Sequence, residues 1–442
     1  MKPEPGDRIE VITDRKKHSG VLIPTPELTG KDSLILKLEN GYNIGISKKK
    51  IKNLKILKKY KKSSEKSKKT LAADKNLPTI SILHTGGTIA SKVDYRTGGV
   101  IAAFTPEEIL TMFPELKDIA NIKSRLIRNM WSEDMRFSHY NLMAREVKKE
   151  IDNGADGVII THGTDTLHYT GAALSFILKN LNNPVILVGS QRSSDRGSTD
   201  ASMNLICASR FIADSDYAGV GICMHAEQSD NYCDILKGTK SRKMHTSRRD
   251  AFKPVNSKPV AKVFYDKKKI EFYEKEYSKK SESQIKLKKI KPDLKIGILK
   301  SHPNMYAQEV DFYKGFDGLV LEGTGLGQMP ISKIDEPTKE HAKIFDSLKE
   351  LIDSGTIVVM SPQTIFGRLQ MNVYAPARKL QKIGVLGNFS DMTPETTFIK
   401  LAWLLSNHPK KKVKKLITKN LRGEISERIT PEEYFKNIEK LT

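Results

Sequence analysis

The chain contains few cysteines and no long apolar run, and each shortage excludes a class of protein. Its cysteines, Cys207, Cys223 and Cys233, are odd in number and do not have the spacing of metal ligands. This usage predicts reduced thiols in a cytoplasmic protein. No uninterrupted apolar run approaches the roughly 18 residues of a membrane-spanning helix. Residues 1–7 carry no apolar core of the kind found in a signal peptide.

The sequence also lacks the loops that bind nucleotides. It contains neither a Walker-type loop with its lysine nor the three-glycine motif that binds dinucleotides. We therefore expect no nucleotide site, no cofactor and no metal ion in this chain itself.

Acidic residues are too few to balance the basic ones. The chain has 75 Lys and Arg against 52 Asp and Glu, which gives a formal net charge of +23. Such an excess favours contact with nucleic acid. Lysine runs at 48–50, 267–269 and 410–412 carry part of this charge, but such runs are also typical of solvated surfaces. Composition therefore leaves open whether these lysines contact RNA.

The N-terminal part has the pattern of a small separate domain. Short alternating segments separated by turns predict an SH3-like β-barrel over residues 1–56. Residues 57–77 are charged and poor in apolar side chains, which predicts a linker. The strands of the barrel are expected at Arg8–Ile12, Ser19–Ile23, Ser33–Leu38 and Ile44–Ser47.

From residue 78 onward, apolar runs alternate with helical periods. This pattern predicts an α/β fold, a doubly wound and mostly parallel sheet, over residues 78–290. A charged stretch at 266–292 interrupts this pattern. A second series of apolar runs and helical periods then predicts a smaller C-terminal α/β domain with a basic tail over 291–442. A short helix is expected to begin near Thr430. The apolar runs predicted as strands are 80–83, 158–160, 185–188, 220–223, 294–299, 319–321 and 357–360, and the predicted helices are 142–151, 170–181 and 393–406.

Two threonine-glycine turns each follow a predicted buried strand. They are His84-Thr85-Gly86-Gly87-Thr88-Ile89-Ala90-Ser91 and Thr161-His162-Gly163-Thr164-Asp165-Thr166. Turns in this position lie at the carboxyl ends of parallel strands, where open α/β sheets bind their ligands. Taken alone, either turn is more often a phosphate-binding loop or a capped helix start. Neither turn has a Walker lysine or the three-glycine dinucleotide motif, which weakens the phosphate-binding alternative.

The residue types in the turns suit amide hydrolysis. That reaction needs an activated nucleophile, a base, donors for the oxyanion and an acid for the departing ammonia. Thr88 follows two glycines that allow close approach of a substrate. Tyr95 lies on a polar, glycine-rich stretch and could polarise a nearby hydroxyl, or could be a half-exposed loop residue. Thr164 and Asp165 place a hydroxyl beside a carboxylate, and a carboxylate is a natural partner for a substrate ammonium group.

Together the two turns resemble the asparaginase/glutaminase family of threonine amidohydrolases, and the resemblance spans about residues 78–405. It implies that Thr88 is the primary nucleophile, with Tyr95 beside it at the substrate. It also implies a second catalytic group of Thr164, Asp165 and a lysine. Within Arg242-Lys243-Met244-His245-Thr246 the matching lysine is Lys243, although Lys237 and Lys240 lie close to it in sequence.

Other positions match the family less specifically. Trp131-Ser132-Glu133-Asp134 matches its Ser-x-Asp element, which implies that Ser132 holds the α-carboxylate of the substrate. A serine on a loop can equally be a solvated turn residue. The segments 190–192 and 195–205 are expected to pack beside the pocket as structural support. Tyr95 lies closer to Thr88 than the loop tyrosine of the bacterial secreted enzymes does.

The N-terminal barrel points to a narrower group, the D-type subunits of archaeal glutamyl-tRNA(Gln) amidotransferases. The segments 36–46, 193–196 and 242–250 resemble that group, so that with the barrel the resemblance covers about residues 1–405. It implies a glutaminase that passes ammonia to an E-type partner of the amidotransferase. That partner would use ATP and Mg²⁺ to convert Glu-tRNA(Gln) to Gln-tRNA(Gln). The resemblance further implies a homodimeric core within a heterotetramer.

Two other functions remain compatible with the sequence. One is a stand-alone cytoplasmic L-asparaginase that carries an unrelated barrel. The other is a non-catalytic tRNA-binding scaffold that has kept the fold. The sequence does not decide between glutamine and asparagine as the substrate.

Overall fold

A computed structural model gives the fold of the chain. It describes residues 3–14, 16–24, 32–38, 43–60, 74–87, 89, 91–93, 100–102, 105–194, 198–274 and 276–429. Thr88, Tyr95 and the helix expected near Thr430 lie outside the described residues, as does most of the predicted linker.

The N-terminal strands form one antiparallel sheet around a small apolar core. Their alternating pattern buries Ile9, Val11 and Leu36 completely, because successive side chains of a strand face opposite sides. The last strand pairs with the first and runs to Lys58, into the segment predicted as a linker. The five strands are Arg8–Thr13, Lys17–Ile23, Ser33–Lys37, Asn43–Ser47 and Ile51–Lys58.

An eight-stranded sheet forms the centre of the molecule. Its five parallel strands include Gly157–Thr161 and Pro184–Val188, in which every residue is buried, as expected for a sheet covered on both faces. The predicted α/β class with a mostly parallel sheet is confirmed. The antiparallel strand Lys269–Phe272 lies at one edge, within the charged stretch that was expected to interrupt the sheet. In spatial order the other strands are Ala261–Phe264, Tyr232–Lys237, Gly219–His225, Pro184–Val188, Gly157–Thr161, Thr79–His84 and Asn121–Leu126.

Helices cover both faces of this sheet. Phe137–Asp152 and Leu167–Ile177 pack into the apolar core on one face, and Pro106–Met112 and Ala201–Asp214 into the core on the other. No helix in the described part of the chain is long and apolar enough to cross a membrane. Short strand pairs link the larger elements: Ser91–Val93 with Val100–Ala102, Leu178–Lys179 with Lys286–Leu287, and Ser241–Lys243 with Phe252–Pro254.

The C-terminal region adds a three-stranded parallel sheet that shares a core with the large sheet. Helix Pro394–Asn407 packs against both units: the ring of Trp403 lies 5.4 Å from that of Phe176, and Ile399 and Leu401 join the same apolar core. Burial of this shared surface holds the two predicted α/β regions together. The strands are Ile296–Lys300, Gly318–Gly323 and Ile357–Pro362, and the remaining helices are Ala307–Asp311, Lys339–Asp353, Ala375–Ile383 and Lys410–Leu416.

Buried polar contacts fix the position of the C-terminal region. The Lys240 ammonium donates to the Asp391 carboxylate at 2.5 Å, and both side chains are fully buried. Burial lowers the pKa of Lys240, while the charge of Asp391 raises it. The Asn256 amide donates to the carbonyl of Asp391 at 2.9 Å and accepts from the backbone of Gly367. These contacts specify one arrangement of the two regions, because each buried polar atom must find its partner.

We expect Lys240→Met to destabilise the protein by about 3–5 kcal/mol, because it leaves the Asp391 carboxylate buried without its counter-charge. Lys237→Met is the matched control, since Lys237 pairs with Glu274 at the surface and exposed pairs contribute about 0–1 kcal/mol. Urea unfolding of both variants measures the difference. Equal losses of stability would contradict a structural role for the buried pair.

Candidate active site

The two threonine-glycine turns lie against each other at the carboxyl edge of the large sheet. Thr85 donates twice to the carbonyl of Thr161, from its backbone nitrogen at 3.1 Å and its hydroxyl at 2.9 Å. Gly87 has a φ of +83°, and a Cβ at this position would lie 2.8 Å from the backbone nitrogen of Gly163. Only glycine permits this backbone conformation and this approach without strain. The strand order therefore brings two remote segments into contact.

Thr88 and Tyr95 are the predicted site residues whose positions the structure does not describe. Thr88 directly follows Gly87, which contacts the second turn. The roles of Thr88 and Tyr95 therefore stay predictions.

A buried histidine beneath the turns links three parallel strands. His84 Nδ1 lies 2.8 Å from the hydroxyl of Thr161, and its Nε2 lies 2.8 Å from that of Ser124. Burial lowers the pKa of His84 to about 4. The imidazole is therefore neutral at pH 7 and acts as a fixed hydrogen-bonding link between the strands.

A second buried histidine shapes the second turn from inside. His162 Nδ1 lies 2.7 Å from the carbonyl of Gly163, and its Nε2 lies 2.9 Å from the hydroxyl of Thr170. Burial lowers the pKa of His162 to about 4. Because a carbonyl can only accept, Nδ1 carries the proton and Nε2 accepts from Thr170. The turn is thus held by a neutral ring in one tautomer.

Lys243, Thr164 and Asp165 meet at the second turn. Lys243 Nζ donates to the Thr164 hydroxyl at 2.9 Å and to Asp165 Oδ1 at 2.6 Å. The Lys243 side chain is 11% exposed, whereas that of Asp165 is 67% exposed. Lys243 ends the short strand Ser241–Lys243, whose pairing with Phe252–Pro254 directs it toward the turn. The structure therefore brings these three predicted residues together.

The two other lysines near Lys243 in sequence have different partners. Lys240 is buried against Asp391, and Lys237 lies 3.0 Å from Glu274. Among these three lysines, Lys243 is the one that contacts Thr164. The structure thus distinguishes among three lysines that the sequence left as alternatives for the contact with Thr164.

Ser132 lies beside the second turn and is only 2% exposed. Its backbone carbonyl accepts from the Thr166 hydroxyl at 2.5 Å. Its own hydroxyl has only long contacts, accepting from the Thr166 backbone and donating to Glu133, both at 3.4 Å. A hydroxyl held this weakly can turn to a ligand. Ser132 is therefore a buried residue of the site region and not a solvated turn residue.

The loop after strand Pro184–Val188 supports Thr164 from behind. The buried Asp200 carboxylate accepts from the Ser190 hydroxyl at 3.0 Å and from the Gln191 backbone at 2.9 Å. A Cβ on Gly189 would lie 2.7 Å from the methyl carbon of Thr164, so the loop packs tightly on that residue. Asp200 thus acts on Thr164 only through the loop that it organises.

The structure also shows a buried polar cluster that the sequence did not indicate. Arg242 Nη1 lies 3.1 Å from Glu395 Oε1, and His168 Nε2 lies 3.9 Å from the same oxygen. The other polar atoms, His168 Nδ1 and Glu395 Oε2, have no hydrogen-bond partner among the described residues. Burial would raise the pKa of Glu395, but His168 and Arg242 hold it below its ordinary value. With Asp165 and Lys243, these side chains line a cleft of about 420 Å³.

No local sequence signal could have found this cluster. Glu395 directly follows Pro394 at the start of a helix, where an acidic residue is explained by the helix dipole. His168 lies in a different helix, which meets the first only after the shared core has formed.

Family models match nearly the whole chain. An Asparaginase, N-terminal model matches residues 79–278, and a Glutaminase/Asparaginase C-terminal domain model matches residues 295–417. A GatD N-terminal domain model matches residues 3–57.

Curated relatives resemble the chain over its full length. The D subunit of the glutamyl-tRNA(Gln) amidotransferase from Pyrococcus furiosus is 45% identical over 440 residues, covering 98% of this chain and 97% of that protein. Its counterpart from Methanococcus maripaludis is 42% identical and covers 97% and 99%. Among solved structures, the L-asparaginase from Thermococcus kodakarensis has a TM-score of 0.69 and 27% identity, covering 79% of this chain and 100% of that one. L-asparaginase I from Vibrio cholerae has a TM-score of 0.66, 28% identity and coverage of 79% and 99%.

The two buried histidines predict a loss of stability in mild acid. Their pKa values are about 4 in the folded chain and 6.5 when unperturbed, so the unfolded chain binds more protons between these values. The two histidines therefore make their full contribution to stability above pH 6.5. As the pH drops toward 4, the free energy of unfolding should decrease by up to about 1.4 kcal/mol per pH unit for each histidine. Urea unfolding over this range measures it.

His162→Gln provides the internal comparison for this pH dependence. The variant lacks one of the two groups, so its stability should fall less steeply with decreasing pH than that of the wild type. Parallel slopes in the two proteins would show that the protonation of His162 is not linked to unfolding.

Proposed function

Because the chain belongs to the family of glutamyl-tRNA(Gln) amidotransferase D subunits, we propose that it hydrolyses glutamine and supplies ammonia for the conversion of Glu-tRNA(Gln) to Gln-tRNA(Gln). The family resemblance expected from the two turns is confirmed by these relatives. The observation that carries the activity is the contact of Lys243 with Thr164 and Asp165 at the second turn, against which Gly87 of the first turn packs. Support for the amidotransferase role comes from the N-terminal domain, which the matched asparaginase domains do not include.

In this proposal the two threonine hydroxyls flank the carboxamide of glutamine. Attack of a hydroxyl oxygen on the amide carbon forms an acyl-enzyme ester, and the nitrogen leaves as ammonia after it accepts a proton; water then hydrolyses the ester to glutamate. Thr88 is the primary nucleophile by resemblance to the family. Lys243 Nζ is placed to take up the proton of the Thr164 hydroxyl, and Asp165 holds that amine in position.

Two side chains near the second turn can bind the α-carboxylate and the α-ammonium group of glutamine. Ser132 is buried and its hydroxyl has only weak contacts, so it can donate to the α-carboxylate. Asp165 is largely exposed, and the carboxylate oxygen that does not contact Lys243 can accept from the α-ammonium group. Tyr95 is assigned to the substrate by resemblance alone.

In this proposal, two proteins carry out different reactions: this chain hydrolyses glutamine, and its partner uses ATP. The sequence has no loop for a nucleotide, so in this proposal ATP and Mg²⁺ act at the E-type partner of the amidotransferase. The relatives are named as one subunit of an amidotransferase of glutamyl-tRNA(Gln), which supports a heteromeric assembly. A location in the cytoplasm and a homodimer of this chain at the core of a heterotetramer are part of the same proposal.

We expect ammonia release from glutamine to rise strongly when both the partner protein and Glu-tRNA(Gln) are present. The reason is that free ammonia is useful only when an activated acceptor is ready. Coupled ammonia assays with each component omitted in turn test this. Robust hydrolysis of asparagine without any partner would favour a stand-alone asparaginase, and no hydrolysis under any condition would favour a tRNA-binding scaffold.

We expect Thr164→Val and Lys243→Met each to lower kcat for glutamine hydrolysis by about 10²–10⁴-fold, because each removes a group that transfers a proton. Thr88→Ala should abolish the reaction. Lys237→Met is the matched control: it removes a nearby lysine that pairs with Glu274, and it should keep wild-type kcat.

Circular dichroism and unfolding curves check that these variants fold. Since Thr164 and Lys243 act in the chemical step, the KM for glutamine should change much less than kcat. Wild-type turnover in folded Thr164→Val or Lys243→Met would refute the catalytic assignment.

A further inference from the structure

A second cleft lies away from the candidate active site and has a strongly basic lining. It encloses about 530 Å³ between helix Phe137–Asp152 and the segment 289–292. Arg128, Arg145, Lys289 and Lys291 line it. We call it the basic cleft. None of the described residues that line it is acidic.

The backbone on one side of the basic cleft is held in place by two helices. Asn141 exchanges two hydrogen bonds with the backbone of Ile290, at 2.6 Å and 3.0 Å. Ser406 and Asn407, at the end of another helix, hydrogen-bond to the backbone of Lys291 and Lys289. Ile290 is buried while both flanking lysines are exposed. The two cationic side chains therefore project from a fixed frame and not from a loose loop.

In the part of the chain that the structure describes, the positive side chains of the basic cleft lack carboxylate partners. Within the described ranges, no carboxylate lies within salt-bridge distance of Arg145, Lys289 or Lys291. By contrast, Arg125 on the neighbouring strand pairs with Glu146 and Glu150 of the same helix. The acidic residues of the helix thus pair on one side and leave the cleft positive.

Nearby histidines report the resulting field. Burial lowers the pKa of His139, which also lines the cleft, and the charges of Arg128 and Arg136 lower it further. The part of this shift that comes from the two arginine charges is a positive potential, and a positive potential favours an anion.

The positive surface continues past the basic cleft. Lys288 precedes the cleft segment, and its carbonyl accepts from Trp403 Nε1 at 2.9 Å. The ring of His408 lies 5.9 Å from that of Trp403, and the lysine-rich helix Lys410–Leu416 begins just after His408. Burial lowers the pKa of His408, and the charges of Lys412 and Lys288 lower it further. One of the lysine runs of the sequence thus extends the same surface.

We propose that the basic cleft binds the sugar-phosphate backbone of tRNA. This inference rests on the proposed function, since it assigns a contact surface to the tRNA on which the assembly acts. Unpaired Arg and Lys side chains on a rigid frame neutralise phosphates and release condensed counterions on binding. Contacts of this kind position an RNA without reading its sequence.

An acidic face of the partner protein is the competing occupant, and the surface disfavours it. Stable protein interfaces bury aromatic or large apolar anchors at their centre. The exposed large apolar side chains of the described residues, including Trp131, Tyr306 and Phe312, do not line the basic cleft.

The test uses the full chain in complex with its amidotransferase partner. The variant Arg145→Gln/Lys289→Gln/Lys291→Gln removes three charges from the basic cleft. The control Lys48→Gln/Lys49→Gln/Lys50→Gln removes three charges from an exposed run in the N-terminal domain. Fluorescence anisotropy with labelled tRNA(Gln) at several salt concentrations gives the affinity and its salt dependence.

The cleft variant should bind tRNA(Gln) more weakly, and the slope of log K against log salt should fall by about one for each charge removed. An unrelated tRNA should lose affinity by the same factor, because phosphate contacts carry no sequence information. The control variant should keep wild-type affinity. Unchanged affinity in the cleft variant, or equal losses in both variants, would overturn the proposal.

Two further measurements distinguish tRNA binding at the basic cleft from a protein interface there and from the proposed glutaminase function. If the cleft variant loses affinity for the partner protein in the absence of tRNA, the cleft is a protein interface and the proposal is wrong. Glutamine hydrolysis without tRNA should be the same in the cleft variant and the wild type. A wild-type complex that binds tRNA through the cleft but never hydrolyses glutamine would refute the proposed function and leave this inference standing.

Discussion

The site depends on the meeting of two turns at one edge of a parallel sheet. Strands Thr79–His84 and Gly157–Thr161 are adjacent and parallel, so the segments that follow them must leave the sheet on the same side. The double hydrogen bond from Thr85 to Thr161 then holds the turns at contact distance. Without that alignment, the hydroxyl groups of the first motif would not lie near the hydroxyl groups and the Asp165 carboxylate of the second.

A second constraint comes from the way the two α/β regions share a core. Helix Pro394–Asn407 is buried against the helices of the large sheet, and it brings Glu395 beside Arg242 and His168. The buried contact between Lys240 and Asp391 fixes the same arrangement close to Lys243 in the chain. Packing of the C-terminal region therefore defines the wall of the cleft into which Lys243 and Asp165 face.

The basic residues that give the chain its net positive charge have different roles. Some basic residues have carboxylate partners, as Lys240 has in the core and Lys243 has at the candidate site, and these contacts hold local structure in place. Others, such as Lys289 and Lys291, stand on a rigid backbone without a carboxylate partner in the described part of the chain. The same residue type thus has different roles because burial and neighbours differ, which composition alone cannot reveal.

The sequence by itself determined the fold class and the family, because buried parallel strands are short apolar runs and the turn residues after them are local signals. It also singled out Thr164, Asp165 and Lys243. Tertiary structure decided which of three nearby lysines reaches Thr164, since that depends on how a short strand pair is oriented. Structure alone revealed the cluster around Glu395 and the basic cleft, because both join segments far apart in the chain, and a contact between remote segments leaves no periodic pattern in either one.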